Sequence, residues 1–242
     1  LTSVVVCTNR ESFLPNILYN FQRQSLKEKE LILIVNSMRV NLEEIYKKLP
    51  RNKIKFQLRQ FPEEMSLGNC LNKGVDIASS KYIAKMDDDD FYGSQFLLEA
   101  RETLDHTKAD IVGKSSFYVY FKRDQELRLY NPNHENRWIL NNGNDQYRSS
   151  YFFSGATLVF KKDIFKSVSF PDLNRGEDSG FQRECFQQGM KMYSLSKEHY
   201  VYMRYNQPTH HHSDVNDFLL KRRSIYADIP SIMPGFYDWE NN

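Results

Sequence analysis

Lys81-Tyr82-Ile83-Ala84-Lys85-Met86 runs directly into Asp87-Asp88-Asp89-Asp90, and this stretch decides how the chain folds and where its chemistry lies. The first half reads as a short buried strand. Four adjacent carboxylates repel one another, and burial raises their pKa values instead of leaving all four charged. They persist at a strand end where water, a cation or hydrogen-bond donors hold them. Side chains alternate along an extended segment, so Asp87 and Asp89 point one way, roughly 7 Å apart by Cα. Such a pair suits one hard divalent cation shared with phosphate oxygens, the usual use of Mg²⁺ with one or two carboxylates. The plain alternative is a solvated acidic turn that caps the next helix. Position directly after a buried strand favours the cation.

Working outward, the first two thirds of the chain alternate between strand and helix patterns. Ser3 to Cys7 is a β-branched run, Leu31 to Val35 a second buried strand, Ile54 to Leu58 a third and Tyr82 to Met86 a fourth. Pro15 opens a helix with Ile17, Leu18 and Phe21 on one face. Ser66 caps another, in which Leu67, Cys70, Leu71, Val75 and Ala78 form the apolar stripe. Ser94 is expected to cap a third helix through Phe96, Leu97, Ala100 and Leu104, and Ala109 to Gly113 is a fifth strand. Strands spaced by helices of this length imply βαβ units and a mainly parallel, doubly wound sheet. Ligands then bind at the carboxyl ends of its strands, where the strand order reverses.

The remainder is less regular. Phe117 to Lys122 and Phe152 to Phe160 read as strands, separated by an Asn-rich stretch from Asn131 to Ser150 that reads as a loop or lid. Gly180 to Gln188 is a short helix stopped by Gly189. Tyr200 to Tyr205 is strand-like, and Phe218 to Ala227 reads as an amphipathic helix with a basic face. With no repeat and no low-complexity linker, residues 1–242 are expected to form one domain. Its nucleotide-binding half would be 1–113 and its acceptor-binding half 114–242.

Composition sets the outer limits. The 242 residues carry 33 Lys+Arg against 31 Asp+Glu, a balance that argues against a nucleic-acid binder, which needs a basic excess. Cys7, Cys70 and Cys185 are far apart and odd in number, which fits neither a disulfide framework nor a zinc site and points to a reducing, cytoplasmic compartment. Apolar runs are strand-sized, so no transmembrane segment or signal peptide is read, although the basic face near Lys221, Arg222 and Arg223 leaves peripheral membrane contact open. The chain enters a strand at once, as a piece of something longer would. Aromatics reach 14%, enough for a groove that stacks on ligands as well as a packed core.

A second acidic signal is Gly176-Glu177-Asp178 at the start of the Gly180 helix. Acids favour helix N-termini through the dipole alone. An ionised carboxylate beside a metal–phosphate site also serves as a general base for an attacking hydroxyl.

In order, Thr8-Asn9-Arg10 after the first strand, Gly68 with Asn72-Lys73-Gly74, the strand into Asp87 to Asp90, and Glu177-Asp178 resemble the family 2 glycosyltransferases of the GT-A, Rossmann-like fold. The likeness runs from about Ser3 to Tyr205. It implies transfer of a sugar from a nucleotide-sugar, UDP-linked by preference, to a hydroxyl of a glycan or glycoconjugate acceptor, with inversion and with Mn²⁺ or Mg²⁺. By resemblance, Thr8, Asn9 and Arg10 form a nucleotide-contacting turn and Gly68 and Asn72 belong to the donor site. Asp87 and Asp89 match the two acids of the DxD motif, the first near the ribose or donor and the second on the metal, with Asp88 beside them. Asp178 matches the catalytic base, with Glu177 as a substrate contact.

Two positions depart from the family pattern. The acidic turn after the second strand is replaced by Val35-Asn36-Ser37-Met38, where the Asn36 amide oxygen would accept a uracil N3–H. Leu71 stands where an Arg often supports the donor. From His210-His211-His212, His212 is the candidate third metal ligand, against a solvated polar turn. Trp138, with Tyr147 and Tyr151, would stack on a sugar ring or simply pin its own loop. Gly155 in Ser154-Gly155-Ala156 would let the backbone approach the substrate, or mark a close-packed strand. A nucleotidyltransferase is the first competing class, but it needs a Gly-rich basic loop after the first strand, and Thr8-Asn9-Arg10-Glu11 has no Gly. A non-catalytic sugar- or nucleotide-binding relative is the second.

Overall fold

The computed structural model describes residues 1–50, 52–140, 152–205, 216–228 and 235–236. The opening β-branched run forms β1 (Thr2–Thr8), and β2 (Lys29–Val35), β3 (Lys55–Gln60) and β4 (Tyr82–Lys85) follow it. All three join β1 in a parallel arrangement ordered β3-β2-β1-β4. Helices α1 (Leu14–Arg23), α2 (Leu42–Lys48) and α3 (Leu67–Ile77) lie on the connections between them. Side-chain alternation sends each buried strand into two cores. Val4, Val6, Leu31, Leu33 and Ala84 pack with Leu14, Ile17 and Phe21 of α1. Val5, Ile32, Ile34 and Ile83 pack with Cys70, Leu71 and Val75 of α3. Strands covered on both faces must be apolar on both, which is why these runs are nearly continuous.

Beyond β4 come β5 (Phe91–Tyr92), α4 (Phe96–Thr107), β6 (Ile111–Gly113), β7 (Phe117–Phe121), β8 (Glu126–Tyr130), β9 (Arg137–Ile139) and β10 (Val159–Lys161). They are followed by α5 (Glu177–Gln187), β11 (Met192–Ser194), β12 (Tyr200–Arg204), α6 (Asp217–Arg222) and β13 (Ser224–Tyr226). The central sheet runs β3-β2-β1-β4-β10-β6-β11-β9, with β10 antiparallel to both β4 and β6. A second sheet, β13-β8-β7-β12-β5, closes over its own core of Phe91, Tyr118, Val201, Met203 and Phe236. The fold is thus α/β, with a parallel half that becomes mixed on the side away from β3.

Several local expectations are corrected. Phe152 to Phe160 is not one strand: Gly155–Thr157 forms a 3-10 turn and only Val159–Lys161 pairs. The small Ser154-Gly155-Ala156 run lets the chain fold back, and Ser154 N–H donates to the Lys114 carbonyl at 2.8 Å. The Asn131 to Ser150 stretch is more than a loop, because Arg137–Ile139 adds to the sheet edge opposite Met192 to Ser194. Asn131, Asn133 and Asn136 take positive φ there, a conformation Asn tolerates better than most residues. Residues 141–150 of that stretch lie outside the described residues. Phe218 to Ala227 is split between α6 and β13, because pairing with β8 outweighs helical periodicity. Gln95, not Ser94, occupies the α4 N-cap, and it makes no side-chain cap there.

Candidate active site

Between β1 and β4 the strand order reverses, and the carboxyl ends of these two strands open a crevice, as the rule for doubly wound sheets requires. Thr8 ends one wall and Asp87 starts the other. The chain bends at residues 88–90, so the alternation of an extended segment stops. Asp88 and Asp89 therefore share a partner instead of facing opposite ways. Arg10 bonds both Asp88 oxygens and reaches Asp89 Oδ2 at 3.0 Å, while Thr8 Oγ1 donates to Asp88 Oδ2 at 2.5 Å. The Asn16 amide donates to the Asp88 carbonyl at 2.7 Å and the Asp90 carbonyl at 3.1 Å. Asn20 donates to the latter at 2.8 Å. Polar residues on α1 thus pin the acidic loop from below.

The four aspartates occupy four environments. Asp87 is the most open and takes Lys85 Nζ at 2.6 Å. Burial and the Asp89 charge push Asp88 up to about 6, against the pull of Arg10 and Thr8. Asp90 is buried, accepts from Tyr200 Oη at 2.6 Å and Met203 N–H at 2.9 Å, and is pushed well above the carboxylate range by burial. It ties the loop to β12 and is not presented to a ligand. Asp89 keeps 14% of its side chain exposed and is paired with Arg10.

The opposing carboxylates come from α5. The chain before it is docked on α3 by a dense set of bonds. Asn72 gives and takes one bond each with the Phe170 carbonyl and N–H, at 2.8 and 2.9 Å. Ser66 Oγ donates to Asp172 at 2.5 Å, Leu67 N–H to Asn174 Oδ1 at 2.9 Å, and Gly68 N–H to the Leu173 carbonyl at 3.0 Å. A Cβ on Gly68 would sit 1.9 Å from the Pro171 carbonyl oxygen, so only glycine admits this contact. Gly68 and Asn72 are therefore occupied in seating the segment that leads to Glu177-Asp178. Gly155 works the same way from the other side: a Cβ there would lie 1.4 Å from Asp178 Oδ2.

Glu177 is buried, and that burial, with the charge of Asp178, pushes it up to about 7 despite the opposing pull of Lys85. Lys85 itself is almost wholly buried. Burial works against its charge, yet Asp87, Asp178 and Glu177 more than restore it, so it stays protonated.

One cavity of about 550 Å³ joins these parts. Thr8, Asn9, Arg10, Asn36, Asp87, Asp88, Asp89, Glu177 and Asp178 all line it. Gly68, Asn72 and Gly155 stand behind the lining. Trp138 is apart from it on β9, edge-to-face with Tyr193 at 5.1 Å. His210 to His212, Tyr147 and Tyr151 lie outside the described residues. Among the polar lining residues, those without a sequence assignment are Lys85, Glu63, Asn174, Arg175 and Tyr202. Only Lys85 carried a signal, as the single charge in β4. Leu71 lines the cavity as an apolar side chain, and the site's cations are instead Arg10, Lys85 and Arg175.

Among the described residues no three His, Cys, Asp or Glu side chains converge to hold a metal by themselves. Asp87 and Asp89, each paired with a basic side chain but lining the cavity, would still fit a cation completed by phosphate oxygens, since Mg²⁺ takes one or two carboxylates plus substrate.

Sheet, acidic loop and facing carboxylates define a GT-A-type α/β domain. The chain belongs to glycosyl transferase family 2, whose profile matches residues 2–169. It is 24% identical over 223 residues to the uncharacterized glycosyltransferase EpsJ of Bacillus subtilis, covering 84% of this chain and 60% of EpsJ. It is 22% identical over 214 residues to the glycosyltransferase GlyG of Streptococcus pneumoniae, covering 84% of this chain and 71% of GlyG. The chain thus spans about three fifths of EpsJ. Among solved structures, S. aureus TarS 1–349 superposes with a TM-score of 0.66 at 20% identity, over 84% of this chain and 60% of that one. The mannosyltransferase PcManGT from Pyrobaculum calidifontis, solved with GDP-Man and Mn²⁺, gives 0.61 at 13% identity, over 87% and 58%. At these identities the likeness is one of fold. Among the described residues no helix is long and apolar enough to cross a membrane.

Proposed function

We propose that the chain is a metal-dependent, inverting glycosyltransferase that moves a sugar from a UDP-sugar to a hydroxyl of a glycan or glycoconjugate acceptor. The observation that carries this is the single cavity in which the Thr8–Arg10 turn and the acidic loop face Glu177 and Asp178. TarS has also been solved with UDP-GlcNAc, which supports a nucleotide-sugar donor. Asn9, Thr8 and Arg10 hold the nucleotide side. The Asn36 amide protons are engaged by the Pro62 and Met65 carbonyls at 2.7 and 3.3 Å, leaving its oxygen as the atom that meets a base N–H. Asp87 and Asp88 support the donor, and Asp89 holds Mn²⁺ or Mg²⁺. The cation, when bound, offsets the charge that develops on the diphosphate.

Asp178 takes the acceptor hydroxyl proton as that oxygen attacks the anomeric carbon. The bond to the diphosphate breaks on the opposite face, which inverts the configuration. Free Cys7, Cys70 and Cys185 fit a cytoplasmic setting for this chemistry. Residues 1–113 would serve the nucleotide and 114–242 the acceptor.

Thermal-shift titration with UDP and GDP, with and without Mn²⁺, tests the donor side. UDP with Mn²⁺ is expected to stabilise most, and no response to any nucleotide refutes the proposal. Asp178→Asn is expected to lower turnover by at least 10³-fold while UDP binding stays within about threefold; full transfer by that variant removes Asp178 from the base role. Asp89→Ala is expected to abolish the Mn²⁺ dependence of UDP binding, and an unchanged dependence sinks the ligand assignment.

A further inference from the structure

Lys85 has no packing reason to exist. It is the one charged residue of β4, opposite Val5 of β1 on a strand whose other positions are apolar or aromatic. Its N–H donates to the Leu158 carbonyl at 2.8 Å, so its backbone is clamped between β1 and the segment leading into β10. Alternation puts its side chain on the face of Ile83, the side covered by α3 and α5. There it reaches the cavity, with Nζ 2.6 Å from Asp87 Oδ1 and Glu177 and Asp178 in the same lining. A buried ammonium persists only among carboxylates, and those three are the ones that sustain its charge.

We propose that Lys85 is a positioning residue for the reaction: its ammonium, fixed between strands, holds Asp87 in place at the donor end and sets a positive charge in the cavity that Glu177 and Asp178 also line. This rests on the glycosyltransferase function proposed above. Lys85 acts through Asp87 and through its charge without touching the donor, so its loss is expected to fall on turnover more than on donor binding. With Arg10 and Arg175 it is one of three cations of the cavity, the one fixed on the face of α5, and a cation arriving at Asp89 feels that charge.

The test uses the full chain with Lys85→Met, which keeps the length without the charge, and Lys85→Arg, which keeps the charge. Three quantities are measured: thermal stability, affinity for Mn²⁺ alone by calorimetry, and kcat and KM for UDP release from UDP-GlcNAc. For Lys85→Met, kcat is expected to fall about 100-fold with KM within about threefold, because a carboxylate misplaced by about 1 Å costs that much. Mn²⁺ alone is expected to bind roughly three- to tenfold more tightly, since a like charge has left the cavity. Lys85→Arg is expected to restore wild-type Mn²⁺ affinity and recover kcat to within about tenfold. If Lys85→Met does not fold, Lys85→Gln takes its place in all three measurements.

Wild-type kcat in Lys85→Met overturns the proposal, and so does a loss carried wholly by KM. Equal kcat losses in the Met and Arg variants with Mn²⁺ affinity unmoved also overturn it, since that pattern belongs to packing alone. A wild-type chain that neither binds UDP with Mn²⁺ nor releases UDP from UDP-GlcNAc overturns the glycosyltransferase function and this proposal together.

Discussion

Gly155→Ala isolates the placement of Asp178, the proposed base, from the other properties of the site. Gly155 does not occupy the left-handed region, so alanine suits its backbone, and the conflict is purely steric. The new Cβ would lie 1.4 Å from Asp178 Oδ2 and 2.3 Å from its Cγ. Ordinary contact begins near 3.4 Å, so the carboxylate must retreat by about 2 Å. The turn cannot yield instead, because Tyr92 Oη donates to the Ala156 carbonyl at 2.7 Å and Thr157 Oγ1 to the Ser154 carbonyl at 2.8 Å. Overpacking of this kind costs about 1–3 kcal/mol, a fall in Tm of a few degrees for a chain of this size. A misplacement of about 1 Å already costs about 100-fold in rate, so turnover is expected to drop by that factor or more, about 2.7 kcal/mol of barrier. UDP release from UDP-GlcNAc measures the rate, and calorimetry with UDP and Mn²⁺ measures binding, which should stay within about threefold. Wild-type turnover refutes the contact as a constraint on the proposed base. Loss of UDP binding in step with turnover shows that the substitution has disturbed the donor side instead.

Two further outcomes follow from the same neighbourhood. Asn72→Ala strips both bonds from the Phe170 backbone and is expected to cost about 1–3 kcal/mol in urea unfolding; a change under about 0.5 kcal/mol would show that water replaces them. Folded Glu177 holds its proton to about pH 7 against an ordinary value of 4.5, so the unfolded chain ionises first and this residue's stabilising contribution is lost as pH rises between those values. Glu177→Gln is therefore expected to gain on wild type by on the order of 2–3 kcal/mol from about pH 5 to about pH 8, and parallel stability curves would refute the shift.

The parallel half of the sheet was readable because its signals are local. Buried strands such as Leu31 to Val35 are continuous apolar runs, and the Ser66 cap with its stripe announces α3; both appear as expected. The acidic loop was readable as a cluster but not in detail. Which aspartate faces a ligand depends on a bend at residues 88–90 and on Arg10, Asn16, Asn20 and Tyr200, partners from other elements. The later strands failed for a similar reason. β8 alternates Leu127 and Leu129 with Glu126 and Arg128, yet it is too short to stand out without β7 and β13 beside it. The sequence pattern reads Gly68 and Asn72 as donor-site residues and Gly155 as a substrate approach, while in the fold their tight contacts go to protein. A glycine motif tells of close approach, and only coordinates tell what approaches.

The antiparallel insertion of β10 explains how one cavity acquires both its acidic walls. A purely parallel sheet would continue from β4 to a neighbour whose carboxyl end lies on the same edge, and its connecting turn would lie at the far edge. Because β10 runs the other way, the turn that precedes it arrives at the carboxyl end of β4. The Leu158 carbonyl accepts from Lys85 N–H at 2.8 Å, which sets Gly155–Thr157 beside the start of the acidic loop. Tyr92 then spans the junction: its hydroxyl accepts from Asp87 N–H at 2.8 Å and donates to the Ala156 carbonyl at 2.7 Å. The acidic loop and the turn that makes room for Asp178 are therefore held by one strand pairing and one buried phenol. Their separation is a property of the sheet, so the proposed base does not depend on an acceptor to bring it into register with the donor.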